Sequence, residues 1–164
     1  MSLLDLCRRR WSVRKFTGDQ VSAVDMEYLK EVGRWAATSR NRQARRFVLV
    51  RDLENIRELV REAKMQDFVA DAGTLVFGVA EDAGGGARAD VLISMTQMEM
   101  AALELGLGTI WLGIWDRDVV RSRLEIPPDV TPVVCLAIGH PGEAGSPRSK
   151  LSVENLFFEE RFGQ

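Results

Sequence analysis

The segment Asp90–Leu105 is apolar on almost every side and constrains the fold more than any other part of the chain. Only Gln97, Glu99 and Glu104 form a narrow polar edge along it. A helix that is apolar nearly all round belongs at the centre of a fold or in an interface, because its faces must be kept from water. Its methionines favour core packing over a ligand-binding row, since flexible thioethers fill irregular gaps.

Shorter segments on both sides of this helix predict one central sheet. The β-prone runs are Phe47–Val50, Thr74–Ala80, Ile110–Ile114 and Val133–Ile138. The helical segments are one that begins with a capping box at Ser22–Asp25, one at Leu53–Ala63 and a short one capped by Asp116. The predicted irregular segments are a polar loop at Thr38–Arg46 and a glycine-rich link at Glu81–Ala89. Short strands separated by helices indicate an α+β or α/β domain.

Length and composition predict a single domain over residues 1–164, because 164 residues that are 46% hydrophobic can bury a proper core. No apolar run is long enough to cross a membrane and no signal-peptide pattern is present, so we expect a cytoplasmic protein without a membrane partner. Cys7 and Cys135 match no metal or redox spacing, and His140 is the only histidine. A multi-histidine metal site is therefore excluded. If the protein is an enzyme, a cofactor is expected to carry the chemistry.

The C-terminal segment, residues 151–164, is unusually apolar for a tail. It carries Leu156, Phe157, Phe158 and Phe162. Such a tail either covers its own core or reaches onto a partner. Together with the apolar helix, it offers more apolar surface than one small sheet can cover, so dimerisation is expected.

A basic segment near the N-terminus alternates polar and apolar residues. In an extended chain, Arg10, Ser12 and Arg14 lie on one side and Trp11 and Val13 on the other. Guanidinium groups beside a hydroxyl can bind an oxyanion, although a solvated basic terminus explains the segment equally well. The chain as a whole has a formal charge of -2, so the segment is a local feature. A second basic stretch follows at Arg148–Lys150.

Two further segments invite a comparison with ligand-binding motifs. The loop containing Ser39, Asn41 and Gln43 offers hydroxyl and amide groups that suit a ring edge or a polyol, although most such loops are solvated turns. The stretch Gly106–Thr109 is glycine-rich, but it leads from a helix to a strand. That order is the reverse of the dinucleotide-binding fingerprint.

Taken in order, these motifs resemble those of the nitroreductase family of FMN-dependent oxidoreductases. Arg10–Phe16 is similar to the family's Arg-x-Ser-x-Arg-x-Phe, and Trp35–Gln43 to its Trp-Ala-Pro-Ser-x-x-Asn-x-Gln. Leu105–Gly113 after an apolar helix, followed by Leu136–Pro141, completes the resemblance. It extends from about residue 8 to residue 150.

The resemblance implies an α+β fold, with a central, mostly antiparallel sheet flanked by helices. It also implies a homodimer with FMN at the subunit interface and a C-terminal tail, residues 151–164, that wraps the partner subunit. The implied FMN phosphate site is Arg10, Ser12 and Arg14 with Arg148 or Lys150, and Trp11 between them is a further implied cofactor-binding residue. The implied contacts to the flavin and its ribityl chain are Ser39, Asn41 and Gln43, partly from the other subunit, and Trp111, Leu112 and Gly113, whose amide would face N5.

The activity that the resemblance implies is a ping-pong transfer of hydride from NADH or NADPH through flavin N5 to a nitroaromatic, quinone or similar small acceptor. Two departures alter the ring end of the site: Ala44–Arg46 replaces the family's Pro-Trp, and Thr96–Gln97 replaces its Gln-Asn. An FMN-binding protein without turnover, a carrier or sensor, is therefore the alternative.

Several arginines in the polar loop leave two interpretations open. They are Arg40, Arg42, Arg45 and Arg46. They either form a solvated basic loop or select an anionic acceptor or the 2′-phosphate of NADPH. A nucleic-acid-binding module is a third functional class, but the net charge of -2 and the lack of a recognised nucleic-acid motif argue against it.

Overall fold

The structure is a computed structural model that describes residues 2–81 and 85–163. Its described residues form one four-stranded antiparallel sheet. The strands are β1 (Arg45–Val50), β2 (Thr74–Ala80), β3 (Gly108–Leu112) and β4 (Thr131–Gly139). Their order in the sheet is β1-β2-β4-β3, so β2 and β4 are central.

Strand β2 is buried along its whole length because both faces of the sheet are covered. Leu75, Phe77 and Val79 belong to one core cluster, whereas Val76 and Ala80 belong to the other. This alternation is the two-residue period of a strand. A continuously apolar run such as Thr74–Ala80 therefore indicates a strand covered on two sides.

Five α-helices are found in the described part of the chain. They are α1 (Leu3–Arg9), α2 (Ala23–Arg34), α3 (Leu53–Glu62), α4 (Gly85–Glu104) and α5 (Arg117–Arg123). Residues of α3 and α5 pack on one face of the sheet, and residues of α2 and α4 on the other. The result is the predicted α+β architecture, with helices on both sides of an antiparallel sheet.

The predicted helix starts at Ser22 and Asp116 are confirmed. The Ser22 side chain accepts a hydrogen bond from the backbone N–H of Asp25, and that of Asp116 from the N–H groups of Asp118 and Val119. These contacts satisfy donors that the first helical turn leaves unpaired. Short polar side chains before an apolar periodic run are therefore reliable start signals in this chain.

The central apolar helix is longer than predicted. Helix α4 begins at Gly85, so the part of the predicted glycine-rich link from residue 85 onward is helical, while residues 82–84 lie outside the described residues. The predicted polar edge is also wrong in one position. Gln97 and Glu104 are exposed, but Glu99 is buried.

Other boundaries differ by a few residues. Strand β1 begins at Arg45, inside the predicted loop. Strand β3 begins and ends two residues earlier than the predicted Ile110–Ile114. Helix α1 was not predicted, although Ser2 and Asp5 form a reciprocal capping box at its start. In the described residues, no helix is both long and apolar enough to cross a bilayer.

Candidate active site

A basic cavity of about 330 Å³ lies where the N-terminal segment meets the C-terminal return of the chain. The residues that line it are Arg10, Trp11, Ser12, Arg14, Glu143, Ser146, Arg148 and Lys150. Four cationic side chains and two hydroxyls therefore face one carboxylate. Six of these residues are predicted site residues, and they come from segments more than 130 positions apart in the sequence. Such a donor set suits a phosphate or another oxyanion.

The N-terminal wall of the cavity is an extended segment that follows α1. Ser12 forms a parallel bridge with Thr109, and the backbone N–H of Val13 donates to the Thr109 carbonyl at 3.0 Å. Val13 is buried in the core, as the predicted alternation requires. Trp11 departs from that alternation, because its side chain packs against the core and also lines the cavity.

The opposite wall is the return segment after β4. Phe16 bridges Pro141, and the N–H of Gly142 donates to the Lys15 carbonyl at 2.7 Å. Gly145 then lies directly against the Trp11 indole. A side-chain carbon added at Gly145 would be 2.2 Å from two ring atoms of Trp11. Only glycine allows the backbone to approach the ring this closely, and this contact brings the following residues to the cavity.

We expect Gly145→Ala to weaken anion binding at the cavity at least fivefold. The new methyl group must displace either the Trp11 ring or the backbone segment that carries Arg148 and Lys150. The affinity for inorganic phosphate, measured by the shift in melting temperature across a titration, checks this expectation. Ala144→Ser, at an exposed neighbouring position, is the control and should bind phosphate like the wild type. Unchanged phosphate affinity in the glycine variant would show that the Trp11 contact does not position the return segment.

The polar loop after α2 has a strained backbone. Ser39–Asn41 forms a 3₁₀ turn, and Arg40, Asn41 and Gln43 all have φ between 52° and 54°. A left-handed conformation is uncommon for residues other than glycine, and in this chain it also occurs at Lys64, Glu125 and Glu160. The polar loop differs from these positions in having three such residues within four positions. Asp90 anchors the loop by accepting the backbone N–H of Ser39 with both carboxylate oxygens, at 3.0 and 3.3 Å.

Arg45 does not belong to a solvated basic loop. It is 7% exposed, and its guanidinium donates to the carbonyls of Gly33, Arg34 and Ala36, where α2 ends. All three bonds come from Nη2, whose two hydrogens are shared among the three carbonyls, and the Gly33 carbonyl also accepts the N–H of Ala36 at 3.4 Å. The contact places the positive charge of Arg45 at the negative end of the helix dipole. Burial lowers the pKa of Arg45, and the negative charge of Asp90 offsets part of this effect by raising it. For Arg45, the expectation of a solvated side chain is therefore wrong.

We expect Arg45→Met to destabilise the fold by about 1–3 kcal/mol, because the three carbonyls at the end of α2 lose a buried donor. Methionine keeps the apolar stem, so packing changes little. The free energy of unfolding in urea measures the effect. Arg57→Met, at an exposed position of α3, is the matched control. Equal unfolding midpoints for the two variants would contradict a structural role for Arg45.

The end of β3 presents backbone to the surface. Trp111 is partly buried against one core cluster, and the Leu112 side chain is buried in the other. Leu112 is therefore able to contact a ligand only through its backbone. Gly113 is exposed, and an added side-chain carbon would meet no atom within 4 Å. A planar group thus has free access to the backbone at Gly113.

The two predicted halves of the site are separated within one chain. Helix α4 contacts the polar loop through Asp90 and lies behind the basic cavity at Glu99, which is 3.6 Å from the cavity residue Arg10. Asp90 and Glu99 are nine positions apart, which corresponds to about 13 Å along the helix axis and to about two and a half turns. Their side chains therefore leave the helix on opposite sides. The basic cavity and the polar loop therefore lie on opposite faces of α4.

Two buried carboxylates of this region, Asp90 and Glu99, were not predicted as site residues. Both are less than 10% exposed. An acidic residue inside an apolar pattern is the signal that could have identified Asp90 and Glu99, because such residues are seldom fully buried without a partner.

Comparison with known proteins identifies the family. The family model described as the nitroreductase family matches residues 7–74 and 58–140, which together span most of the chain. The chain belongs to the nitroreductase family. The resemblance predicted from the motifs is thereby confirmed.

Individual relatives and solved structures agree with this assignment. An NADPH-dependent oxidoreductase of Staphylococcus epidermidis is 28% identical over 184 residues, covering 96% of this chain and 73% of the relative. One of Staphylococcus haemolyticus is 29% identical, with 93% and 71% covered. The NfrA1 nitroreductase of Bacillus subtilis superimposes with a TM-score of 0.90 at 24% identity, covering 98% of this chain and 75% of that one. An FMN-dependent nitroreductase of Clostridium difficile gives a TM-score of 0.86 at 19% identity, with 96% and 99% covered. This nitroreductase-family protein therefore has the family's α+β fold.

Proposed function

We propose that the protein is an FMN-dependent oxidoreductase that transfers hydride from NADH or NADPH to a small acceptor such as a nitroaromatic or a quinone. The observation that carries the proposal is the basic cavity, where Arg10, Ser12, Arg14, Arg148 and Lys150 meet. The name of the Clostridium difficile structure supports FMN, and the names of the staphylococcal relatives support NADPH as donor.

The chemistry of the cavity suits the phosphate of FMN. A phosphate monoester carries close to two negative charges at neutral pH, and the wall offers four cations against the single carboxylate of Glu143. Arg10 and Arg14 can each donate two hydrogen bonds, while Ser12 and Ser146 add hydroxyl donors. Trp11 contributes an apolar wall. These residues would hold the phosphate end and so fix the position of the whole cofactor.

The other end of β3 suits the flavin ring. Thr109 lies beside Ser12 at the cavity, and Gly113 lies four residues further along, about 13 Å in an extended strand. Bound FMN would supply the hydride-transfer chemistry at N5, with reduction by the nucleotide and oxidation by the acceptor as two successive half-reactions. The exposed backbone N–H of Gly113 would donate a hydrogen bond near that reacting edge, and Trp111 would border the ring. Holding the ring in a fixed orientation is the protein's own contribution to the rate.

A second copy of the chain would complete the site. Ser39, Asn41 and Gln43 lie on the face of α4 opposite to the basic cavity, so one flavin would reach both only if two chains contribute. The exposed side of α4 carries the apolar side chains Leu92 and Ile93, each more than 40% exposed. A central helix with such an uncovered stripe fits a subunit interface.

We further propose that the C-terminal tail docks on the sheet of the partner. Strand β1 is an edge strand, and a cavity of about 430 Å³ beside it is lined by cations including Lys30, Arg34 and Arg46 over an apolar floor. The tail pairs exposed aromatic residues, Phe157 and Phe158, with acidic neighbours at positions 154, 159 and 160. Lys30, Arg34 and Arg46 each already pair with a carboxylate of their own chain, so the proposed match rests on the apolar floor and on the unpaired backbone groups of β1, to which a strand can be added.

Anaerobic stopped-flow spectroscopy tests turnover. Mixing the FMN-loaded protein with NADPH or NADH should bleach the flavin absorbance, and adding menadione or a nitrofuran should restore it. Bound flavin that neither nucleotide bleaches would contradict the oxidoreductase and favour a flavin carrier or sensor. Bleaching without recovery by either acceptor would overturn the proposed acceptor class while retaining the reductive half-reaction.

A further inference from the structure

A buried carboxylate lies directly behind the basic cavity. Glu99, on α4, is 4% exposed and does not line the cavity. One of its oxygens accepts a hydrogen bond from the Thr109 hydroxyl at 3.1 Å, and Thr109 is itself fully buried on β3. Glu99 is therefore fixed between the central helix and the edge of the sheet.

The same oxygen of Glu99 is 3.6 Å from Nη1 of Arg10. That nitrogen also lies 3.4 Å from the Ser12 hydroxyl, to which it donates a hydrogen bond. A buried carboxylate without a cationic partner is strongly destabilising, so Glu99 favours the conformation in which Arg10 stays at the cavity wall. Thr109, Glu99, Arg10 and Ser12 thus form one connected polar chain that ends at the cavity.

We propose that Glu99 is a positioning residue for recognition of the phosphate group, acting through Arg10. A long arginine side chain loses rotamer freedom when it binds an anion, and an arginine that is already held loses less. Glu99 would thereby increase the preference of the site for FMN over riboflavin, which lacks the phosphate. The proposal rests on the proposed FMN-binding function and assigns a role to a residue outside the cavity wall.

Glu99 also repels a bound anion, and the arrangement of the groups decides which effect dominates. Arg10 stands between the carboxylate and the cavity, so its positive charge shields the anion from Glu99. The anchoring of Arg10 acts over one direct contact, whereas the repulsion acts across the guanidinium group. We therefore expect removal of the charge on Glu99 to weaken phosphate binding.

The test compares the binding of FMN and riboflavin to the full-length apoprotein, followed by quenching of flavin fluorescence. Glu99→Gln should weaken FMN binding about tenfold and change riboflavin binding less than twofold. A general loosening of the fold would instead weaken both flavins alike. Glu104→Gln removes an exposed carboxylate from the same helix and is the matched control, with both affinities unchanged.

A double variant tests whether Glu99 acts through Arg10. If it does, Arg10→Gln combined with Glu99→Gln should bind FMN no more weakly than Arg10→Gln alone. An additional tenfold loss in the double variant would show that Glu99 does not act through Arg10. If Glu99→Gln fails to fold, Thr109→Val removes the hydrogen bond that holds Glu99 and should weaken FMN binding two- to threefold, again without affecting riboflavin.

Other results would overturn the proposal. Unchanged or tighter FMN binding by Glu99→Gln would show that anchoring of Arg10 is unimportant or that repulsion dominates. If the wild type binds neither flavin, the proposed function fails, and inorganic phosphate becomes the probe for Glu99. A phosphate-induced rise in melting temperature that is lost in Glu99→Gln would still support positioning. An equal rise in both proteins, or none in the wild type, would refute it.

Discussion

Replacing Arg10 and Arg14 together by alanine is expected to give a colourless protein that still folds but has a lower free energy of unfolding, because Glu99 loses its cationic partner and keeps only its hydrogen bond from Thr109. The two substitutions remove two of the four cationic side chains that line the basic cavity. Each lost hydrogen bond to a charged group costs roughly 1.5–3 kcal/mol, so the double variant should bind FMN at least about a hundredfold more weakly. The visible absorbance of the purified protein measures the bound flavin, and far-ultraviolet circular dichroism shows that the fold persists.

The matched control removes the same amount of charge beside the cavity. Arg8→Ala with Lys15→Ala changes two exposed basic residues of the same segment that do not line the cavity. This control should retain the colour of the wild type, because only residues at the wall contact the phosphate. Stoichiometric FMN in the Arg10 and Arg14 variant would show that the phosphate is bound elsewhere.

Deleting residues 151–164 should convert a dimer into monomers and release the flavin. The described part of this tail packs little against its own chain, and Phe157 and Phe162 are 71% and 94% exposed. Burial of such aromatic side chains on a partner contributes about 1.5–3 kcal/mol each. If the second copy supplies Ser39, Asn41 and Gln43, loss of the dimer also removes these contacts to the flavin. Light scattering after size-exclusion chromatography measures the mass, and the visible spectrum measures the flavin.

A shorter deletion is the control for the loss of the tail's aromatic and acidic side chains. Removing only residues 163–164 leaves Phe157, Phe158, Phe162 and the acidic residues beside them, so this variant should remain a flavin-bound dimer. An unchanged dimer after the longer deletion would refute the proposed docking of the tail on the partner. A monomer that retains its flavin would show that one chain holds the cofactor alone.

Local sequence signals predicted the central elements of the fold well. Strand β2 was predicted with its observed bounds because its apolar run is continuous and ends at polar or glycine residues on both sides. Ser22 and Asp116 fixed two helix starts because their side chains cap the backbone. The family motifs predicted six of the residues that line the basic cavity. No local sequence pattern could have placed them together, because the two segments are more than 130 positions apart.

The errors arise where tertiary contacts override local preference. Glycines at 85 and 86 suggest a link, yet α4 begins at Gly85, because packing of its apolar faces stabilises the helix against that preference. Arg45 follows polar residues and therefore resembles part of a solvated loop, but the carbonyls at the end of α2 bind it in the interior. Glu99 was assigned to a polar edge because only the folded structure places Arg10 and Thr109 beside it.

The visible absorbance spectrum of the purified protein, with mass spectrometry of any compound released on heating, tests the central claim most directly. If the basic cavity binds the phosphate of FMN, the protein should be yellow and should release a compound with the mass of FMN in nearly equimolar amount. A colourless protein that stays colourless after incubation with excess FMN and removal of the unbound flavin would contradict the account.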